Sequence, residues 1–168
     1  AIKSANPDLL FFGGADVQAA PMARQMRSLG LTARFAGGEM IKSPNFIALA
    51  GDAAQGALAS LAGLPLERMP GGSAYAERYR ERFGSAVELY SPYAYDAAMA
   101  MIGAMKRADS TEPSRYLKEL ADTRMAGVTS PRFAWDERGD LQDVGITIYR
   151  VERGAWVPLK AGSETIGA

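Results

Sequence analysis

Two carboxylates in this chain follow glycine pairs, Asp16 in Gly13-Gly14-Ala15-Asp16 and Glu39 in Gly37-Gly38-Glu39. A carboxylate so placed could contact a bound ligand. The alternatives are plain: Glu39 as a solvated loop side chain, and Asp16 as the N-cap of a following helix. Neither glycine pair has the GxGxxG or GxxxxGK spacing of a phosphate-binding loop. The 168 residues include no Cys and no His, which removes thiol nucleophiles, Cys/His zinc sites, imidazole bases and any Ser-His-Asp triad. A metal site of carboxylates alone remains open, but nothing clusters to suggest one. The acidic turn Asp136-Glu137-Arg138-Gly139-Asp140 is too short for an EF-hand and reads as a β-turn.

The elements that must position Asp16 and Glu39 are legible around them. Leu9-Leu10-Phe11-Phe12 is a wholly apolar run that suits a strand covered on both faces. Ala19, Met22, Ala23, Met26 and Leu29 then recur at helical spacing over Val17 to Leu29, with Gly30 placed as the stop. Pro21 argues that the regular helix starts late. Leu31 to Ala36 is a second strand. The order fits a parallel βαβ unit, in which ligands sit outside the carboxyl ends of the strands, where both glycine turns fall.

Further along, Ser43-Pro44 predicts a capped helix ending at Gly51, and Ala53 to Leu61 a third strand, with an amphipathic helix as the competing reading. The stretch from Gly63 to Gly72 holds Pro65, Pro70 and three glycines and suits a crossing between lobes. Ser73 is expected to cap a helix through Phe83, closed by Gly84. Val87 to Tyr90 reads as extended, and Ser91-Pro92 as the cap of a mostly apolar, buried helix from Tyr93 to Arg107. Ser114 to Thr123 predicts a helix capped by Ser114 or Thr111, with Tyr116, Leu117 and Leu120 facing in. From Val128 the pattern turns to strand, and Gly145 to Val157 to a terminal hairpin around Glu152-Arg153-Gly154. Lys160 to Ala168 reads as frayed.

Lys plus Arg and Asp plus Glu number 19 each, so no net field favours nucleic acid or an anionic membrane surface. No apolar run is long enough to cross a bilayer. The absence of Cys is compatible with an oxidising compartment. The opening residues Ala1 to Asn6 read as the tail of a preceding helix, which points to a fragment of something longer.

Several motifs recur together in one family: Phe11-Phe12-Gly13-Gly14, Arg24-Gln25-Met26-Arg27, Phe35-Ala36-Gly37-Gly38-Glu39, Ser43-Pro44, Leu49 to Gly56, Tyr93-Ala94-Tyr95-Asp96-Ala97, and Phe133 to Leu141. In their order and spacing the chain resembles the C-terminal half of a branched-chain amino-acid-type, leucine/isoleucine/valine-binding, ABC transporter substrate-binding protein. The resemblance implies the α/β type I periplasmic binding protein fold, a parallel sheet with flanking helices in two lobes that close on a ligand, here present only as a C-terminal fragment. It places residues 1–62 in the second lobe, 63–72 in an inter-lobe crossing, 73–127 among helices of the first lobe, and 128–168 in strands crossing back.

The same resemblance implies a periplasmic, non-enzymatic protein without cofactor. It would bind an amino acid for an ABC permease; the alternative is a ligand-sensing domain of a receptor or regulator with the same clamp. Glu39 stands where relatives hold the ligand ammonium, which suits a charge-assisted hydrogen bond. Ala15, Asp16 and Gly38 complete the second-lobe turns, and Tyr90 and Tyr93 stand where the family supplies an aromatic wall, although core packing would also account for either tyrosine. Ala15 replaces a common aromatic lid, and Met40 a small residue after the acid, so both depart from the leucine-class pattern. The family's usual anchors for the ligand carboxylate have no counterpart in this chain. It should therefore bind weakly alone and lean on an N-terminal half or a second copy.

Overall fold

The glycine-punctuated run at the start of the chain folds as a parallel βαβ unit in this computed structural model, which describes residues 2–142 and 144–161. Strand β1 (Leu9–Phe12) pairs in parallel with β2 (Arg34–Gly37), from Leu9 opposite Arg34 to Phe12 opposite Gly37. Helix α2 (Asp16–Ser28) joins them, after a single turn α1 (Ile2–Ala5). Gly30 closes α2 as expected: it takes φ +67°, Gly30 N donates to Arg27 O and Leu31 N to Met26 O, both at 3.0 Å. This is the paired terminus in which a left-handed residue satisfies the last carbonyls.

Two readings of this region change. The helix begins at Asp16 despite Pro21, which lies inside it. Pro21 deprives only the carbonyl of Val17 of a partner, in the first turn on an exposed residue, so the missing bond costs little. Strand β1, expected to be covered on both faces, is an edge strand with Leu9 47% and Phe11 63% exposed. Only its Leu10 and Phe12 face reaches the core, because successive side chains point to opposite sides of a sheet.

The chain divides into two compact units, Ala1–Gly63 with Gly145–Ala168, and Leu64–Val144. In the first, a five-stranded sheet runs in the order β1-β2-β3-β6-β7, with β3 (Leu58–Ala62), β6 (Ile146–Glu152) and β7 (Ala155–Ala161). The third strand starts later than expected, after a 3₁₀ turn at Gly51–Ala54. It is parallel to β2 and antiparallel to β6. The β6–β7 hairpin turns at Arg153 and Gly154, both with positive φ, the geometry whose twist matches paired strands. Strand β7 continues to Ala161, beyond the expected start of fraying; residues 162–168 lie outside the described residues. A line of rings, Phe12, Phe35, Phe46 and Trp156, runs through this core, with Phe35 and Phe46 stacked at 5.9 Å.

The second unit holds α4 (Gly72–Phe83), α5 (Ser91–Ala108), α6 (Pro113–Ala121) and a two-stranded sheet of β4 (Arg124–Met125) and β5 (Phe133–Ala134). Its N-caps differ from expectation. Gly71, Tyr90 and Glu112 take the cap positions without side-chain cap bonds. Ser73 lies inside α4, and Ser91 inside α5 meets Tyr75 Oη at 2.7 Å instead of capping. No strand forms over Val87–Tyr90.

Helix α5 buries one stripe, Pro92, Asp96, Ala100 and Ala104, while Tyr95, Met99, Met101 and Ile102 stay exposed, so the expected full burial is not met. Four-residue spacing puts these residues on one face of the helix, and the second unit buries that face, while Tyr95 beside it packs its ring on Tyr75 at 5.4 Å yet stays exposed. Leu117 likewise faces out, leaving Tyr116 as the buried residue of α6. Asp96, read from sequence as structural, is fully buried and accepts from Val128 N at 2.8 Å, Thr129 N at 2.8 Å and Thr129 Oγ1 at 2.6 Å. Asp136 Oδ1 accepts from Arg138 N and Asp140 N, the turn expected there.

Candidate functional site

Ser43 is the point at which the segments around the two glycine turns meet. It caps α3 (Pro44–Ala50), with Pro44 at the first helical position, and its Oγ accepts from Phe46 N at 3.0 Å. The same hydroxyl donates to Asp16 Oδ2 at 2.6 Å. Ser43 N donates to Ile41 O at 2.8 Å, and Ser43 O accepts from Trp156 Nε1 at 3.0 Å. Every polar atom of Ser43 thus has a partner, drawn from α2, α3, β7 and the turn after β2.

Asp16 is not the cap of its helix. Ala15 holds that position in an extended conformation, with no side-chain bond, and its carbonyl accepts from Gln18 N and Ala19 N. Asp16 is the first helical residue, and its Oδ2 also accepts from Asn45 Nδ2 at 3.1 Å. The Ser43 hydroxyl holds its carboxyl below the usual carboxylate range; partial burial opposes this and Asn45 reinforces it. Neither Ser43 nor Asn45 was legible as a partner of Asp16. The Ser-Pro cap signal located Ser43, but a cap oxygen carries a donor as well, and no pattern reveals where it points.

Glu39 opens a 3₁₀ turn, Glu39–Ile41, directly after β2 and Gly38. Its side chain is exposed, and among the described residues its carboxylate has no hydrogen-bond or ion-pair partner. Ile41, two residues on, is fully buried, so the turn is pinned to the core while Glu39 projects from it. Lys42 lies 4.3 Å from the ring centroid of Tyr149.

The glycines differ in what they do. A Cβ on Gly37 would come within 2.9 Å of Phe12 O and 2.8 Å of Ile41 Cδ1, so the close approach of strands demands glycine there. Among the described residues Gly13 and Gly38 have no atom within 4 Å of such a Cβ, and neither has positive φ. Their bare backbone is open on the side where the strands end. Ala15, Asp16, Gly38 and Glu39 therefore all lie at the carboxyl ends of β1 and β2 in one unit, whereas Tyr90 (exposed) and Tyr93 (half-buried) belong to the other. A cavity of about 380 Å³ in the first unit lies at the opposite strand ends, beside Arg34 and Ala57, away from these carboxylates. Among the described residues no group of three or more Asp and Glu side chains could hold a metal.

Comparisons with known proteins point one way. The sequence pattern of the periplasmic binding protein family matches residues 1–155. Over 154 residues the chain is 29% identical to Leu/Ile/Val-binding protein homolog 1 of Brucella suis, covering 92% of this chain and 41% of that protein. The crystal structure of a leucine-binding protein from Thermotoga maritima superposes with a TM-score of 0.84 at 26% identity, over 95% of this chain and 46% of that one. A type 1 periplasmic binding protein from Bordetella pertussis shares the fold, with a TM-score of 0.75 at 19% identity over 93% of this chain and 46% of its own. The chain spans about two fifths, 41%, of the length of the Brucella relative. With its parallel-containing sheet and flanking helices it has the type I architecture over part of that length, and it belongs to the periplasmic binding proteins, a family of solute-binding proteins rather than enzymes.

Proposed function

We propose that this chain is part of the amino-acid-binding component of an ABC importer, working in the periplasm, and that Glu39 receives the ammonium of a branched-chain or related amino acid. One observation carries the reading: Glu39 stands exposed beside the open backbone of Gly38, at the carboxyl end of a parallel strand, on a turn pinned by buried Ile41. An anionic group held on a fixed turn, with no protein partner among the described residues, is suited to a cationic ligand group. A charge-assisted bond forms there with little ordering cost. The similarity to Leu/Ile/Val-binding and leucine-binding proteins supports the ligand class. The assignment of residues 1–62 and the terminal strands to one lobe, of Tyr90 and Tyr93 to an aromatic wall, and of a permease and an N-terminal lobe as partners, belongs to the same proposal.

Calorimetry of the complete protein against leucine, isoleucine and valine tests it. Saturable binding of at least one, and none of the 2-oxo acid with the same carbon skeleton, is expected, because the oxo acid lacks the ammonium. Equal binding of the oxo acid would remove Glu39 from the role.

A further inference from the structure

Asp16 stands beside a glycine turn where a ligand contact was expected, but its Oδ2 is turned to other side chains of the protein. Its Oδ2 is occupied by Ser43 Oγ at 2.6 Å and Asn45 Nδ2 at 3.1 Å. Ser43 follows the Glu39–Ile41 turn by two residues and bonds back to it through Ile41 O at 2.8 Å. Ile41 and Lys42 hold that turn against the sheet, Ile41 by burial and Lys42 over Tyr149. The bond from Ser43 to Asp16 ties that segment to the first turn of α2, which follows the other glycine turn. Strand pairing up to Phe12 and Gly37 and the bond from Asn45 also link the two turns, so the Ser43 bond adds to an existing frame.

We infer that Asp16 is a positioning residue: through Ser43 it fixes the distance between the Gly13–Ala15 turn and the Gly38–Glu39 turn, and so presents Glu39 to the ligand without touching the ligand itself. The inference rests on the reading of Glu39 above. An O–H donor to a carboxylate is short and strong, whereas Asn45 adds a weaker, exposed bond, so Ser43 carries the tie. A neutral acceptor of the same shape keeps the geometry, which separates this role from a direct charge on the ligand.

The test compares Asp16→Ala, Asp16→Asn and Glu39→Gln in the complete protein, with backbone amide exchange over Glu39–Ser43 and leucine affinity read separately. Asp16→Ala is expected to speed exchange in that segment and to weaken leucine binding, each by about tenfold, the scale of one hydrogen bond to a charged group. Asp16→Asn is expected to restore most of both. If Asn weakens binding as much as Ala while exchange stays unchanged, Asp16 is a ligand contact and the inference is overturned. It is overturned equally if Ala alters neither quantity, or alters exchange without affinity. If Glu39→Gln leaves affinity unchanged, the proposed role of Glu39 fails. The exchange data then decide alone whether Asp16 ties the two turns.

Discussion

A Cβ on Gly127 would lie 2.5 Å from Asp96 Oδ2, so the backbone that wraps this buried carboxylate leaves no room for any other residue. Asp96 in return takes the amides of Val128 and Thr129, thirty-two and thirty-three positions away. Gly127→Ala should destabilise the second unit by ~2 kcal/mol or more, because the carboxylate must move off its donors. Asp96→Ala should cost at least as much, since it strands the buried amide of Val128. Denaturant unfolding followed by tryptophan fluorescence reads both, and a change within about 0.5 kcal/mol would contradict the packing.

The Asp16 bond gives a sign to the pH dependence. Ser43 holds the Asp16 carboxyl below its ordinary value in the folded chain, so the folded state favours the charged form. Its contribution is full above the unfolded pKa of about 3.9 and is lost as pH falls through the lower folded value. Thermal melts of the parent and Asp16→Asn, followed by tryptophan fluorescence, should differ near neutrality and converge as pH drops below about 4. A difference that grows on acidification would contradict the assignment.

The aromatic line through the first unit predicts a graded pair of effects. Phe46 is fully buried between Phe35 and Trp156, and Phe46→Ala should cost ~3–5 kcal/mol through the cavity it leaves. Trp156→Phe keeps most of the packing but removes the Nε1 bond to Ser43 O, and should cost ~1 kcal/mol. Chemical denaturation of the two variants orders them, and equal losses would mean that the indole matters chiefly through its bulk.

Local chemistry in this chain was legible where one residue type has one use. Gly30 as a helix stop, Ser43-Pro44 as a helix start, the terminal hairpin and the βαβ order all follow from backbone rules that act within a few residues. What sequence did not reveal depends on what lies across the fold. Phe11 and Leu9 look like core residues by type, yet edge position leaves them exposed. The apolar run of α5 reads as buried all round, but only the stripe through Pro92, Asp96, Ala100 and Ala104 is buried within its unit. At the site, the paired glycines and the two acids were legible as a group. That Asp16 turns to Ser43, while Glu39 is left free of any partner among the described residues, depends on side-chain direction.

Glu39→Gln probes most directly whether Glu39 takes the ligand's ammonium, as proposed. The measurement is leucine binding by calorimetry to the parent and to the variant, in the complete protein at neutral pH. An affinity at least tenfold weaker in the variant, about 1.4 kcal/mol or more, is the predicted result for loss of a charge-assisted bond. Unchanged leucine affinity in a variant that still folds would contradict it.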